Sequence, residues 1–156
     1  MENEPVFYQK EHAVMEPIVP FDKDAHYDAI NSWWGAYYKG DCLPVECLPD
    51  TGAVAIYKGV PAAAAFLYKS NAKMAHIHFA CANPELGAGR KVFFLRAVIK
   101  RCIEMGREFL GGEGFIWCCT DHAVVGRIYT ENGMFCAGEG DTFFLGVGNE
   151  SEEFLK

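Results

Sequence analysis

The sequence predicts an α/β fold of the mixed α+β kind, a central and largely antiparallel mixed sheet flanked by helices, in one domain over residues 1–156. Three observations carry this. The chain has 156 residues, 51% of them hydrophobic and 14% aromatic, which suffices for one buried core. Short apolar runs with tight turns between them alternate with amphipathic helical stretches. A glycine-bearing turn at 84–89 then feeds a long basic helix.

In chain order, residues 1–11 read as a loose or pairing terminus, and residues 13–19 as a first strand ended by Pro20. Asp22 or Asp24 caps a helix through about Tyr37, with Ala25, Ala29, Ile30, Trp33 and Trp34 on its apolar side. Residues 40–52, with Pro44 and Pro49, read as loop. Residues 53–57, 60–68 and 74–82 are consecutive strands, joined by turns at Lys58-Gly59 and Ser70-Asn71. A helix from 90 to about 105 sets Val92, Phe93, Leu95, Val98, Ile99 and Cys102 largely on one side; Gly106 and the Gly111-Gly112 pair weaken its end. A strand at 114–120 follows, then a short helix at 122–131 capped by Asp121 and stopped by Asn132-Gly133. Residues 134–137 and 142–147 close a hairpin around Gly138-Glu139-Gly140, and 149–156 form an exposed tail.

Charge narrows the partners. The formal net charge is −7, which argues against general nucleic-acid binding. Yet Arg90, Lys91, Arg96, Lys100, Arg101 and Arg107 share one helical stretch, with only Glu104 against them before Glu108. A basic face on an acidic protein suits a small anionic ligand better than a long polyanion. No signal peptide is visible and no apolar run reaches about 18 residues, so no membrane partner is expected. The seven cysteines are odd in number and Cys118 and Cys119 are adjacent, which predicts a cytoplasmic protein with reduced thiols. An exposed edge strand near the C-terminus leaves a homodimer open.

The stretch KMAHIHFACANPELGAGRKVFFLRAVIKRCIEMGR carries the first chemical motif. A helix opening on Gly87-Ala88-Gly89 leaves backbone N–H groups unpaired, and the helix dipole adds positive charge there. That makes a seat for a phosphate or pyrophosphate, with the amides of Gly87, Ala88, Gly89, Arg90 and Lys91 around it and both side-chain cations beside it. The same turn reads equally as an ordinary strand-to-helix connection. The second motif is Asp121-His122-Ala123-Val124-Val125-Gly126-Arg127-Ile128-Tyr129-Thr130-Glu131-Asn132-Gly133-Met134-Phe135.

The element order with these two motifs resembles the GCN5-related N-acetyltransferase (GNAT) superfamily, most closely over residues 53–147. The turn from Pro84 to Gly89 looks like that family's pyrophosphate loop, [QR]-x-x-G-x-[GA], with Pro84 at the Gln/Arg position. In the shifted register Leu86 takes that position and Lys91 stands where a small residue is usual. The later segment looks like N-x-x-A-x-x-x-Y-x-x-x-G-F, with Tyr129 at the tyrosine and Gly133 followed by Met134-Phe135 at the G-F; Asp121 and His122 stand in place of the Asn. A softer resemblance is to divergent acetyltransferase-like proteins of tailed phages, which includes virion components.

The resemblance implies an acetyltransferase that moves an acetyl group from acetyl-CoA to an amine by direct attack. The acceptor is then a small-molecule amine, or a protein lysine or N-terminus. It implies that the strand near 114–120 runs parallel to 74–82 and splays from it. It also implies that the backbone of Phe79, Ala80, Cys81 and Ala82 orients the thioester and that the Tyr129 phenol serves the leaving thiolate. His76 and His78 alternate on one strand and so share a face, where a neutral imidazole can act as base; a pair of half-buried polar residues is the plainer reading. Glu46 and Asp50 are further candidate bases. Trp33, Trp34, Tyr37 and Tyr38 are either an aromatic wall for the acceptor or core packing. His76, His78, Cys118 and Cys119 are zinc-type ligands, but adjacent cysteines point to opposite faces of a strand, so no metal is expected. The alternatives are a GNAT-fold structural or host-interaction protein that has lost the coenzyme, and an acyltransferase acting on a macromolecule.

Overall fold

The computed structural model describes residues 18–137 and 141–148. Expectations for residues 1–17, the 138–140 turn and the 149–156 tail lie outside the described residues. The elements are β1 (Ile18–Pro20), α1 (Lys23–Tyr37), β2 (Gly52–Tyr57), β3 (Val60–Lys69), β4 (Met74–Ala82), α2 (Ala88–Leu110), β5 (Gly114–Cys119), α3 (Ala123–Glu131), β6 (Phe135–Ala137) and β7 (Thr142–Val147). A short 3-10 turn, Val45–Cys47, interrupts the loop expected at 40–52. Pro20 lies inside β1 rather than after it. β1 is an edge strand, where a missing N–H costs least.

The strands form one seven-stranded sheet in the order β1-β2-β3-β4-β5-β7-β6. The β2–β3–β4 meander is antiparallel. Its first turn uses Lys58 and Gly59, both left-handed at φ 51° and 78°, the conformation that matches strand twist in a two-residue hairpin. The pair β4–β5 is parallel, and β7 returns antiparallel beside β5.

Helix α1 starts as its sequence requires. The Asp22 carboxylate accepts from the Ala25 N–H at 3.0 Å, and His26 Nδ1 accepts from the Asp22 N–H at 3.0 Å. Ile30 and Trp33 are buried against Phe21, Val54, Ala64 and Phe66 on one face of the sheet. Trp33 is therefore a core residue. Tyr37, for which core packing is one of the two readings, is 46% exposed.

Helix α2 covers the opposite face with Phe94, Leu95, Val98, Ile99, Cys102 and Ile103. Phe93, expected on the apolar side, is instead 43% exposed, because its neighbour Phe94 takes the inward position. The helix is also longer than the periodicity predicts. Gly106 does not end it: it is buried where α2 crosses β5, and a Cβ there would meet Ile116 Cδ1 at 2.7 Å. The stop is Gly111, at φ 65°, whose N–H donates to the carbonyls of Arg107 and Glu108.

Helix α3 begins one residue later than expected. Asp121 does not cap it: the N-cap is His122, with no side-chain cap, and the His122 N–H donates to Thr120 Oγ1 at 3.0 Å. A fork of Arg96 Nε and Nη2 onto the Glu131 carboxylate, at 2.8 and 3.0 Å, ties α3 to α2.

Candidate active site

The site begins with a defect in the sheet. Along β3–β4, Ala64 pairs with Cys81 and Phe66 with His78, so Phe79 and Ala80 both oppose Ala65. This is a β-bulge, and Phe79 sits at φ 52°, rare for a residue with a bulky side chain. The bulge bends the C-terminal half of β4. The register between β4 and β5 accordingly stops at Ile77↔Cys118, and the strands separate beyond it. No local sequence signal marks this bulge; only the even run of small and apolar residues at 79–82 is compatible with it.

A cavity of about 610 Å³ fills the opening. Its β4 side is Phe79, Ala80, Cys81 and Ala82; its α2 side is Ala88, Lys91, Val92 and Leu95; its far side is Thr120, Asp121, Val124, Val125 and Tyr129. The volume is that of a small-molecule or cofactor site, on the order of 300–1,000 Å³. Of the candidate ligand-binding residues, Phe79 to Ala82, Ala88 and Lys91 line it directly.

Gly87, Gly89 and Arg90 lie just beyond, at the N-terminus of α2, a helix of 23 residues. Gly87 is its N-cap and has no side-chain cap, at φ −61°. Neither glycine is left-handed, so conformational freedom is not why they are there. What distinguishes them is room: a Cβ at either would meet nothing within 4 Å. An anion can approach the first-turn N–H groups closely as a result. Among the described residues Arg96 and Arg101 are held by glutamates, whereas Arg90 and Lys91 carry no ion pair and lie over the rings of Tyr57 and Tyr37 at 5.1 and 5.9 Å. A pyrophosphate therefore fits this end of the cavity in both space and charge.

Tyr129 reaches the cavity from α3 but is only 1% exposed. Its hydroxyl is not at the protein surface. It sits beside the Cys118 thiol, and burial, then Cys118, push the phenol well above its ordinary pKa. It stays protonated at neutral pH and can donate a hydrogen bond. Burial likewise pushes the Cys81 thiol up to about 12 and raises Cys118, which removes both as thiolate nucleophiles at pH 7.

The two strand histidines have different situations. Their rings lie 5.0 Å apart. His78 lines the cavity; His76 does not. His76 stacks flat on Trp117, at 3.9 Å and 3°, and its Nε2 is buried without a hydrogen-bond partner. Burial, and then the neighbouring His78, lower His76 to about 4. Burial also lowers His78. Both imidazoles are neutral at pH 7. Glu46 is exposed on the 3-10 turn and Asp50 pairs with Lys23 at 3.2 Å, and neither lines the cavity.

Polar groups at Thr120, Asp121 and His122 also line the opening. In sequence Asp121 reads as a helix cap and, with His122, as the replacement for the Asn of the second motif; the signal for a place in the site is its position directly after an apolar strand. Among the described residues no three of His, Cys, Asp and Glu cluster as a metal site. No described helix is long and apolar enough to cross a membrane.

No family model matches the chain. No curated protein matches it in sequence. Solved structures do match it in fold. A GNAT-family acetyltransferase from Staphylococcus aureus aligns at TM-score 0.60 and 12% identity, covering 83% of this chain and 98% of that one. The aminoglycoside 6'-N-acetyltransferase of Enterococcus faecium aligns at TM-score 0.63 and 11% identity, covering 83% and 94%. Rv2747 of Mycobacterium tuberculosis, solved with CoA and NLQ, aligns at TM-score 0.61 and 13% identity, covering 79% and 74%. The mixed seven-stranded sheet with its three helices is thus the GNAT fold. These neighbours are bacterial proteins and give no support to a phage origin.

Proposed function

We propose that this chain is an N-acetyltransferase, folded as one domain, that moves an acetyl group from acetyl-CoA to an amine by direct attack. The observation that carries the reading is the opening between β4 and β5, which joins the unpaired N–H groups of α2 to the Tyr129 phenol through a single cavity. Acetyl-CoA supplies a thioester, so that a nitrogen–carbon bond forms as the carbon–sulfur bond breaks, and the proton lost by nitrogen balances the one gained by sulfur. The first-turn amides of α2, with Arg90 and Lys91, hold a pyrophosphate. The bulged backbone at Phe79 to Ala82 has polar groups released from β5 and can orient a carbonyl. Neutral His78 takes the amine's proton, directly or through one water. The phenol of Tyr129 donates toward the departing sulfur. His76, held on Trp117 with its ring 5.0 Å from that of His78, positions that imidazole rather than acting on substrate.

Isothermal calorimetry with acetyl-CoA tests the reading, on the wild type and on Gly89→Asp, which sets a carboxylate in the open space at the α2 N-terminus. Binding by the wild type and a large loss in the variant is the expected pair of results. Equal binding by both removes the phosphate seat. One departure favours a second reading, a GNAT-fold binding protein without transfer: Pro84 occupies the position where the family's loop carries Gln or Arg. Absence of any coenzyme binding by the wild type selects that second reading.

A further inference from the structure

The chemistry of the cavity's lining also bears on which amine is acetylated. On the α1 side of the opening, four rings form an unbroken wall. His78 lies 4.1 Å from Phe79, Phe79 lies 5.2 Å from Trp34 in an edge-to-face arrangement, and Trp34 lies 4.2 Å from Tyr38. All four line the cavity. The wall therefore begins at the imidazole that faces the reacting centre and runs outward along the end of α1. Tyr38 at its outer end is 52% exposed. Aromatic faces and edges of this kind receive another flat ring in stacked or edge-to-face geometry.

The charge pattern is equally selective. Asp121 is the single carboxylate among the residues lining the cavity. A polycationic acceptor such as a polyamine or an aminoglycoside carries several ammonium groups, each of which needs an anionic partner when it leaves water. This lining offers one. One carboxylate across the gap from a ring wall matches an acceptor with one ammonium group and one apolar, planar end. The acidic loop residues Glu46 and Asp50 do not alter this balance, since they lie outside the cavity.

We propose that the acceptor is a primary amine carried on a short alkyl arm from an aromatic ring, with the ring on Trp34, Phe79 and Tyr38 and the nitrogen between His78 and Asp121. This rests on the acetyltransferase reading for its chemistry, but the ring wall makes a separate binding claim. The bulge that opens the sheet also builds the wall. Phe79 takes its left-handed conformation at the bulge, and its ring there contacts both His78 and Trp34.

The test compares 2-phenylethylamine and tryptamine with n-butylamine, spermidine and kanamycin, with acetyl-CoA as donor, and follows thiol release. The aryl amines should give the highest kcat/KM, through KM, by about tenfold or more over n-butylamine, the scale of one to two aromatic contacts. Tyr38→Ala, at an exposed ring, and Trp34→Ala should each raise KM for 2-phenylethylamine several-fold more than KM for n-butylamine. Calorimetry of 2-phenylethylamine alone gives a second readout that needs no turnover. Preference for spermidine or kanamycin overturns the proposal, as does an equal effect of both ring variants on all amines. Coenzyme binding without aryl-amine binding or turnover overturns it while leaving the transferase reading intact. Aryl-amine binding, lost in the ring variants, without coenzyme binding keeps the ring site and overturns the transferase reading instead.

Discussion

In the proposed mechanism Tyr129 is the proton donor, and its burial makes a sharp expectation possible. Tyr129→Phe removes one oxygen and keeps the ring, which packs at 5.5 Å from Phe143. Turnover should fall by about 10²-fold or more, the usual scale for a positioned proton donor. The KM for the coenzyme should move less, since the phenol acts mainly as the thiolate forms. Initial-rate kinetics check both; unchanged kcat would leave Tyr129 a packing residue. The histidines give a pH expectation. His76 is lowered from 6.5 to about 4, so the unfolded chain binds its proton more readily than the folded one. Its stabilising contribution is complete above about pH 6.5 and is lost as pH falls toward 4. Thermal midpoints measured from pH 7 down to 5 should therefore decline, and His76→Phe, which keeps a ring on Trp117, should flatten that decline. The position of His76 and His78 on a shared face was legible from alternation alone. That His76 would be drawn out of the site by Trp117 was not, because Trp117 lies on another strand, at the parallel register that pairs it with His76.

At the scale of elements, the sequence announces what is local and hides what depends on a crossing partner. Asp22 as cap, the Lys58-Gly59 turn and the bounds of β4 are all written in nearest-neighbour chemistry. Gly106 is not. In sequence it reads as a helix breaker, about 1 kcal/mol worse than alanine inside a helix. In the fold it is the place where α2 passes over β5, with Ile116 and Leu67 beneath it. Gly106→Ala should therefore destabilise despite its better helix propensity, because overpacking a filled core costs about 1–3 kcal/mol. Ile116→Val removes the Cδ1 atom that the new methyl would strike. In that background the cost of Gly106→Ala should shrink or change sign. A double-mutant cycle by urea denaturation measures this; simple additivity would mean that α2 and β5 do not meet through these two residues.

On the scale of the whole molecule, the sheet consists of two parts held by a short seam. Among the described residues the β1–β4 part and the β5–β7–β6 part pair only where Met74–Ile77 meet Phe115–Cys118. Both α2 and the core beneath it cross the seam on one face, while the other end of the seam stands open as the cavity. A ligand lying in that opening would touch β4, α2 and α3 at once, and would do so only in the folded state. Acetyl-CoA at 100 times its dissociation constant should then stabilise the protein by about 2.7 kcal/mol. For a chain of this length that is a rise in thermal midpoint of roughly 5–10 °C, at about 2–4 °C for each kcal/mol. The rise should shrink with added salt, because the seat proposed at Arg90 and Lys91 is electrostatic and near the surface. Amide hydrogen exchange locates the effect. Protection should increase at residues 79–82 and through the first turn of α2, and spread into β5 as the seam tightens. A thermal rise with new protection confined to α1, or none at the α2 N-terminus, would mean that the coenzyme binds elsewhere and that the opening between the strands is not its site.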